Sequence, residues 1–344
     1  MNLKPPSCVG CPAYECGKSF VPGVGPPTAK LVIMGQGPGE EEAYNGVPFI
    51  GRSGQMLDRW LVRAGLRRHT IWIGNVVQCW LPGNRPPTMA EITYCRQTYW
   101  GAALTQLTDL KVLVPVGIPA MKTFIHPKAT SENAGVVYRY TESSYILGLL
   151  HPAFIMRGAW EQEPVQVLYL QRAKQIMDRG SWDILDPTTP ISGALLDPTE
   201  AEMDEWIMGL DNQGVAVDIE TAGRHIIMVG MCRLKDYRPI VFHFMRQGGV
   251  PAHPKRTAYR VRAVVQTILS NHAIPKVFHN GQAFDIPILE RNGFKVEGYK
   301  FDTMLAQHIA YAELPKGLEF CSKLYLGAGG WKSMLEQDSE GEWK

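Results

Sequence analysis

The alternation of short apolar runs with amphipathic segments over the first 180 residues is the feature that most limits how this chain can fold. Four runs are uncharged and short, as buried strands are: 31–34, 70–77, 112–116 and 145–150. Three segments place apolar residues at helical spacing: 53–64, 89–107 and 162–179. Strands that are joined through helices pair in parallel and carry the helices on the sheet faces. The sequence therefore predicts an α/β fold, in which a doubly wound, mostly parallel sheet lies between two layers of helices.

A different order follows residue 213. Three strand-like runs succeed one another at hairpin spacing: 215–219, 226–231 and 240–244. A helix over 258–269, a strand over 276–278 and a helix over 284–291 come next. This order predicts a mixed sheet flanked by helices, and hence a second fold in the same chain.

Helix starts are predicted at three places. Ser53 is a candidate N-cap for the helix at 53–64, and Thr88 with Glu91 matches the capping box for the helix that follows. Pro198 is expected to open an acidic helix.

Length and charge divide the chain at the same place. At about 150 residues per domain, 344 residues suggest two domains. Residues 1–180 carry a net charge of +6 and 214–344 one of +4, whereas 181–213 hold eight acidic residues and no basic one. We therefore expect a first domain at 1–180, an acidic linker at 181–192 and a second domain at 193–344. Basic blocks suit a polyanionic partner, although ordinary surface composition gives the same charge.

Composition excludes several classes of protein. Hydrophobic residues make up 45% and charged residues 20%, which is a globular balance and not that of a disordered chain. The apolar stretches are shorter than the roughly 20 residues that span a bilayer, and the N-terminus lacks the apolar core of a secretory signal. We expect a cytoplasmic protein with no membrane partner.

Four cysteines form a candidate metal site. Cys8 and Cys11 form a CxxC in a loop, Cys79 follows a strand, and Cys95 lies in a helix. Four thiolates can hold one iron–sulfur cluster or one zinc ion, or the second pair can be buried packing residues. Cys16, close to the first pair, is either an alternative ligand or unrelated.

A glycine-rich turn, GQGPGE at 35–40, follows the first strand. It does not match the dinucleotide fingerprint G-x-G-x-x-G, because position 40 is Glu and position 38 is Pro. Its backbone amides still lie at the carboxyl edge of a sheet, where ligands usually bind.

Three longer strings carry a resemblance: GQGPGEEEAYNGVPFIGRSGQMLDRWL, GNVVQCWLPGNRPPTMAEITYC and LLHPAFIMR. Together with the cysteine spacing, they resemble the iron–sulfur (family 4) uracil-DNA glycosylases and the similar domain at the front of some phage DNA polymerases. The resemblance covers about residues 5–180. It implies the three-layer glycosylase fold, a [4Fe-4S] cluster on Cys8, Cys11, Cys79 and Cys95, and uracil-containing DNA as partner in a bacterium or its phage-infected host.

The resemblance also implies roles for side chains around an extruded base. Phe49 would stack on uracil, and the Asn75 amide would pair with its O4 and N3–H. Glu42 would lie beside C5, where a thymine methyl group would clash. His151 would donate a hydrogen bond to O2 as the glycosidic bond breaks.

Other positions leave the activity open. Gln36 stands where many of these enzymes have Glu, and Gly37 supplies no carboxylate to activate water. We place Gln36 with the catalytic residues, and Gly37 and Arg157 with those that bind the substrate. The domain either excises uracil, by a dissociative route that needs no strong base, or binds it without excision. A redox sensor is a third reading.

A second constellation is acidic. Asp218 and Glu220 in VDIET point to the same side of a strand, and two such carboxylates repel unless a cation lies between them. Asp285, in HNGQAFD, offers a third acid, and the oxygen ligands suit Mg²⁺ or Mn²⁺.

These strings, with Asp302, resemble the 3′–5′ proofreading exonuclease of family A DNA polymerases, a DEDD nuclease with an RNase H-like fold. The resemblance implies Asp218, Glu220 and Asp285 as metal ligands and catalytic residues, with Asn280 and Phe284 seating a single-stranded 3′ end. It also implies a polymerase domain or other replication proteins as partners. The family's last motif, Tyr-x-x-x-Asp, is missing, so we expect a truncated domain and a weak nuclease.

Overall fold

The computed structural model describes residues 4–184, 193–246 and 249–329, which fall into two compact units. The first unit takes the described residues within 1–187 and 319–344, and the second takes those within 188–318. Most of the expected linker lies outside the described residues, so its extent stays a prediction. The described residues 319–329, expected in the second domain, group with the first unit.

The described part of the first unit contains five strands and eight α-helices. The strands are β1 (Leu31–Gly35), β2 (Trp72–Asn75), β3 (Val112–Pro115), β4 (Val137–Thr141) and β5 (Ser144–Leu147). The helices are α1 (Glu40–Asn45), α2 (Arg52–Arg63), α3 (Met89–Cys95), α4 (Gly101–Thr105), α5 (Ile118–Phe124), α6 (Pro152–Ile155), α7 (Glu163–Arg179) and, after the second unit, α12 (Leu318–Leu326).

The sheet has the order β2-β1-β3-β5-β4 and is parallel except for β4, which confirms the predicted α/β class. Alternate residues of β1 face opposite sides of the sheet. Val32 and Met34 pack with Trp100, and Leu31 and Ile33 are also fully buried, so both faces of the strand are covered.

Three local expectations needed correction or extension. The predicted helix 89–107 is interrupted by a π-helical turn, Arg96–Trp100, between α3 and α4. Ser53 is not a cap, because α2 begins one residue earlier with Gly51 as its N-cap. The edge strand β4 was missed, because its outer residues are polar and leave no apolar run to recognise. The capping box of Thr88 and Glu91 is confirmed.

The described part of the second unit is built on a mixed sheet. Its strands are β6 (Val215–Ala222), β7 (His225–Arg233), β8 (Pro239–His243), β9 (Met245–Arg246), β10 (Val250–Pro251), β11 (Lys276–Phe278) and β12 (Tyr299–Asp302). Its helices are α8 (Glu200–Met208), α9 (Lys255–Ser270), α10 (Asp285–Arg291) and α11 (Thr303–Ala310).

The main sheet of this unit has the order β12-β11-β6-β7-β8. β6, β7 and β8 pair antiparallel, as their hairpin spacing predicted, whereas β11 pairs in parallel with both β6 and β12. The acidic helix starts later than expected, because its N-cap is Thr199, in a capping box with Glu202, and not Pro198.

Helix α12 is held in the first unit by polar contacts. The Val137 N–H donates to the carbonyl of Gly327 at 2.8 Å, and buried Arg172 donates to the carbonyls of Gly135 and Leu324. None of the described helices combines the length and the apolar character needed to cross a membrane.

Candidate functional site

A cavity of about 680 Å³ opens at the carboxyl ends of β1 and β2. Its lining contains all seven residues that the glycosylase resemblance assigned to catalysis or substrate binding: Gln36, Gly37, Glu42, Phe49, Asn75, His151 and Arg157. The parallel register explains part of this convergence, because Gly35 and Asn75 are paired at the strand ends. The structure thus brings these residues together, while their roles stay predictions.

Asn75 is the most buried polar group of the cavity, with 1% of its surface exposed. A Cβ atom at Gly35 would lie 2.4 Å from the Asn75 Oδ1 and 2.5 Å from the Phe49 ring. Glycine at position 35 therefore permits the amide and the aromatic ring to meet. The Nδ2 of Asn75 is buried and has no hydrogen-bond partner among the described residues, which leaves a donor for a bound molecule.

Phe49 is fixed by its backbone. It adopts φ of +54°, a left-handed conformation that is unusual for a residue with a large side chain. Gly54 makes this possible, because a Cβ there would lie 1.9 Å from the Phe49 carbonyl oxygen. The Phe49 ring lies 6.4 Å from the His151 ring between centroids. The two rings give the cavity an aromatic wall.

His151 is the N-cap of α6, and its Nδ1 accepts a hydrogen bond from the Ala153 N–H at 3.1 Å. Burial, with a smaller contribution from Arg157, lowers the pKa of His151 to about 4. The imidazole is therefore neutral at pH 7, and its proton resides on Nε2 because Nδ1 is an acceptor. A neutral ring held in this way presents one N–H donor.

Glu42 lines the cavity and is buried. Its carboxylate accepts a hydrogen bond from the Gly39 N–H at 3.2 Å. Burial raises the pKa of Glu42, although the amides of Gly39 and Phe49 oppose the change. The carboxylate is thus held by main-chain donors at the side of the cavity.

Arg85 also lines the cavity, but its side chain is already paired. Its guanidinium binds both carboxylate oxygens of Glu91, at 2.6 and 3.0 Å, and lies 3.4 Å from the Cys16 Sγ. The Glu91 pKa is lowered mainly by this pairing. Arg157 and Phe154, by contrast, are exposed at the rim of the cavity.

The four cysteines Cys8, Cys11, Cys79 and Cys95 line one small cavity of about 10 Å³. Burial raises the pKa of Cys79 to about 12 and that of Cys95 to about 11. Repulsion from the neighbouring thiols adds to both changes. Within the described ranges, no three or more Cys, His, Asp or Glu side chains are arranged to hold a single metal ion. Cys79 also lines the larger cavity, whereas Cys16 does not line the small one.

The acidic residues of the second unit lie on β6 and at the first residue of α10. Asp218 and Glu220 are exposed on the same face of β6, as the alternation predicted. Asp285, the first residue of α10, is buried, and its Oδ1 has no partner in the described part of the chain. Burial, followed by repulsion from Asp218, raises the pKa of Asp285 to about 6. An unpartnered carboxylate oxygen among like charges fits a divalent cation.

The loop before α10 is held by Asp302. Its carboxylate accepts hydrogen bonds from the amides of Asn280 and Gly281, and from Met304 and Leu305 at the start of α11. Asn280 adopts φ of +68°, so these contacts hold a strained residue. Phe284 is 45% exposed beside it. The sequence analysis named Asp302 only as part of the exonuclease resemblance and did not reveal these contacts.

Known protein families account for both units. Residues 22–171 match the uracil DNA glycosylase superfamily, and residues 198–339 match a 3′–5′ exonuclease family. The type-4 uracil-DNA glycosylase of Thermotoga maritima is 32% identical over 153 residues, which cover 44% of this chain and 79% of that protein. The type-4 uracil-DNA glycosylase of Sulfurisphaera tokodaii is 30% identical over 176 residues, which cover 50% and 76%.

A solved structure described as the apo form of a nuclease is 20% identical and covers 43% of this chain and 67% of its own, with a TM-score of 0.32. The mixed sheet of the second unit and the exonuclease family match confirm the expected RNase H-like fold. The chain belongs to the uracil-DNA glycosylase superfamily through its first unit, which is fused to a 3′–5′ exonuclease domain.

Proposed function

We propose that the first unit recognises a uracil base extruded from DNA and hydrolyses its N-glycosidic bond. The observation that carries this proposal is that one cavity contains both the buried Nδ2 of Asn75, which has no partner among the described residues, and the neutral imidazole of His151. The Asn75 amide offers donors and an acceptor to a bound base, and the His151 imidazole offers one further donor. The similarity to type-4 uracil-DNA glycosylases supports the same substrate.

Asn75 would select the base. Its Nδ2 donates to uracil O4, and its Oδ1 accepts from N3–H. Cytosine presents the opposite pattern and would leave the buried amide unpaired, at a cost of about 1–3 kcal/mol for each unsatisfied group. Phe49 stacks on the ring, and Glu42 lies where a thymine methyl group would project.

His151 would stabilise the leaving base. As the glycosidic bond breaks, negative charge develops on uracil O2, and the Nε2–H donates a hydrogen bond to it. Gln36 and Gly37 offer no carboxylate to activate water. The reaction therefore follows a dissociative route, in which a loosely held water attacks an oxocarbenium-like sugar.

A uracil-containing oligonucleotide with a phosphorothioate-protected 3′ end tests this proposal. EDTA suppresses metal-dependent trimming, and alkali converts each abasic site into a strand break. We expect cleavage by the wild-type protein, and a loss of at least about 100-fold in Asn75→Ala. Asn133→Ala is the control, because that amide is satisfied by Thr130 and Tyr138 in the same unit.

Gln36 and Gly37 also favour a second candidate, a module that binds uracil without excising it. Uncleaved strands together with tighter binding to uracil-containing than to cytosine-containing DNA would establish the module and exclude the glycosylase. Equal binding to both DNAs without cleavage would exclude both.

We also propose a [4Fe-4S] cluster on Cys8, Cys11, Cys79 and Cys95. The support is the convergence of the four thiols on one small cavity, together with the cysteine spacing that resembles the family's cluster ligands. The cluster would staple the N-terminal loop to the sheet. Iron analysis and visible absorption of anaerobically purified protein test it, with Cys8→Ser expected to lose iron and Cys232→Ser expected to retain it.

The second unit is proposed to trim single-stranded 3′ ends. Asp218, Glu220 and Asp285 would hold Mg²⁺ or Mn²⁺, which when bound activate water and stabilise the leaving 3′ oxygen. The family motif Tyr-x-x-x-Asp is absent from the sequence, so weak trimming is expected. The assay is release of 3′ nucleotides from single-stranded DNA with Mn²⁺, with Asp285→Asn compared with Asp211→Asn.

A bacterial or phage polymerase is the proposed setting of both units, in the cytoplasm. One unit senses uracil in a template and the other acts on a 3′ end, which are tasks that meet at a primer terminus. Primer extension over a uracil-containing template should stop earlier when this protein is added, and the Asn75→Ala variant should restore extension.

A further inference from the structure

Tyr99 lies within hydrogen-bonding distance of a proposed cluster ligand. Its hydroxyl is 2.9 Å from the Cys8 Sγ and 2.7 Å from the Ser7 Oγ. When Cys8 is a thiolate it can only accept, so the Tyr99 O–H must donate to sulfur, and the Ser7 hydroxyl can donate to the tyrosine oxygen. The three groups then form a relay that ends on Cys8.

The helix that carries Tyr99 has an unusual local geometry. Immediately after Cys95, the chain forms the π-helical turn, in which the Gly101 N–H reaches back five residues to the Arg96 carbonyl. A Cβ at position 101 would lie 2.5 Å from that carbonyl oxygen, so glycine allows the turn to close. Single π-helical turns are uncommon and are frequent at functional sites.

Two further contacts hold this turn in place. The Trp100 Nε1–H donates to the buried carbonyl of Val76 at 2.9 Å, and the Phe20 ring lies 4.8 Å from the Tyr99 ring between centroids. Cys95 and Tyr99 are four residues apart and share a helix face. The segment therefore presents one ligand thiol and the partner of another to the same cavity.

We propose that Tyr99 is a positioning residue that donates a hydrogen bond to the Cys8 thiolate and thereby tunes the reduction potential of the cluster. The inference rests on the proposed cluster. Hydrogen bonds to cluster sulfurs favour the reduced, more negatively charged state. Removing this one makes the cluster harder to reduce.

The test compares Tyr99→Phe with Tyr94→Phe in anaerobically purified full-length protein. Tyr94 is the matched control, because its hydroxyl holds the same loop through the carbonyls of Ser7 and Val9 without contacting sulfur. We expect the equilibrium constant for reduction to fall roughly tenfold in Tyr99→Phe, about 59 mV for one electron, and to stay unchanged in Tyr94→Phe. Resonance Raman spectra give a second readout that needs no reduction, with a higher Fe–S(Cys) stretching frequency expected only in Tyr99→Phe.

Three results would overturn the inference. An unchanged potential and Raman spectrum in Tyr99→Phe would leave the tyrosine a loop contact only. Equal changes in both variants would mean that the loop, and not the hydrogen bond to sulfur, sets the potential. Iron-free wild-type protein would instead remove the proposed cluster itself, and iron analysis separates this result from the other two.

Discussion

The two candidate sites hold their polar groups in opposite ways. In the first unit, backbone contacts fix Asn75, Phe49 and His151 before any ligand arrives. In the second unit, Asp218 and Asp285 repel each other, and one carboxylate oxygen is unpartnered within the described residues. We therefore expect the proposed base site of the first unit to be pre-organised, and the proposed metal site of the second unit to be completed only when cations bind.

The largest expected effect is that of chelating divalent ions, which should abolish the activity of one site and leave that of the other unchanged. EDTA should reduce the trimming of 3′ ends by about 1,000-fold or to background, because the metal ions supply several kcal/mol of charge stabilisation. Uracil excision should be unchanged, because the proposed residues act without a divalent ion. Both activities are measured on the same preparation, and added Mn²⁺ should restore trimming. Equal sensitivity of the two activities would contradict the contrast between the sites.

Removal of the donor at position 151 should give the next largest effect. His151→Ala should lower uracil excision about 100- to 1,000-fold, the usual loss for one donor to a developing oxyanion, and should not change 3′ trimming. His126→Ala is the matched control, because the Nδ1 of His126 also accepts a backbone N–H two residues ahead, at 3.1 Å, but outside the cavity. If both variants lost excision alike, the effect would be on folding and not on the leaving base.

The neutral state of His151 should appear in the pH dependence of stability. Its pKa is about 4 in the folded protein and about 6.5 when unfolded, so the unfolded state binds more protons between these values. The stabilisation is present above pH 6.5 and is lost as the pH falls towards 4. Between pH 7.0 and 5.5 the wild type should lose about 1.2 kcal/mol more than His151→Gln, which does not titrate.

Thermal unfolding at the two pH values measures this difference, and roughly 3–5 °C is expected for a unit of this size. Other titrating groups are shared by the two proteins and cancel in the comparison. An equal loss in both would show that the imidazole is accessible to protons in the folded state.

The smallest expected effect concerns the capping box, which starts one helix in each unit. Thr88→Ala and Thr199→Ala each remove the hydroxyl of a capping box and should each cost about 1 kcal/mol. Hydrogen exchange should increase at Met89–Cys95 in the first variant and at Glu200–Met208 in the second. Thr267→Ala serves as a control, because its hydroxyl bonds within the interior of a helix and caps nothing.

Sequence patterning anticipated the elements that depend on local periodicity and caps. The alternation predicted β1 and β3, and the hairpin spacing predicted the antiparallel strands β6 to β8. Patterning failed where tertiary contacts decide. The π-helical turn after Cys95 closes through Gly101, and neither leaves a mark in the spacing of apolar residues.

The cavity of the first unit shows the same difference between what local patterns predict and what tertiary contacts decide. Motifs singled out the residues that line the cavity, because chemistry restricts which residue types can serve there. They did not reveal that Gly35 admits Phe49 against Asn75, since that requirement exists only once β1 and β2 are paired. Nor did they show that Arg85 is engaged by Glu91, because the pairing depends on how the loop before α3 folds.

Cys79 belongs to two surroundings at once, since its side chain borders both the thiol cavity and the larger cavity that contains Asn75. Only three residues separate Asn75 from Cys79 along the chain. Oxidation that moved the Cys79 side chain would therefore also change the wall of the larger cavity, and we expect the proposed uracil recognition to be lost at a lower degree of damage than the fold itself.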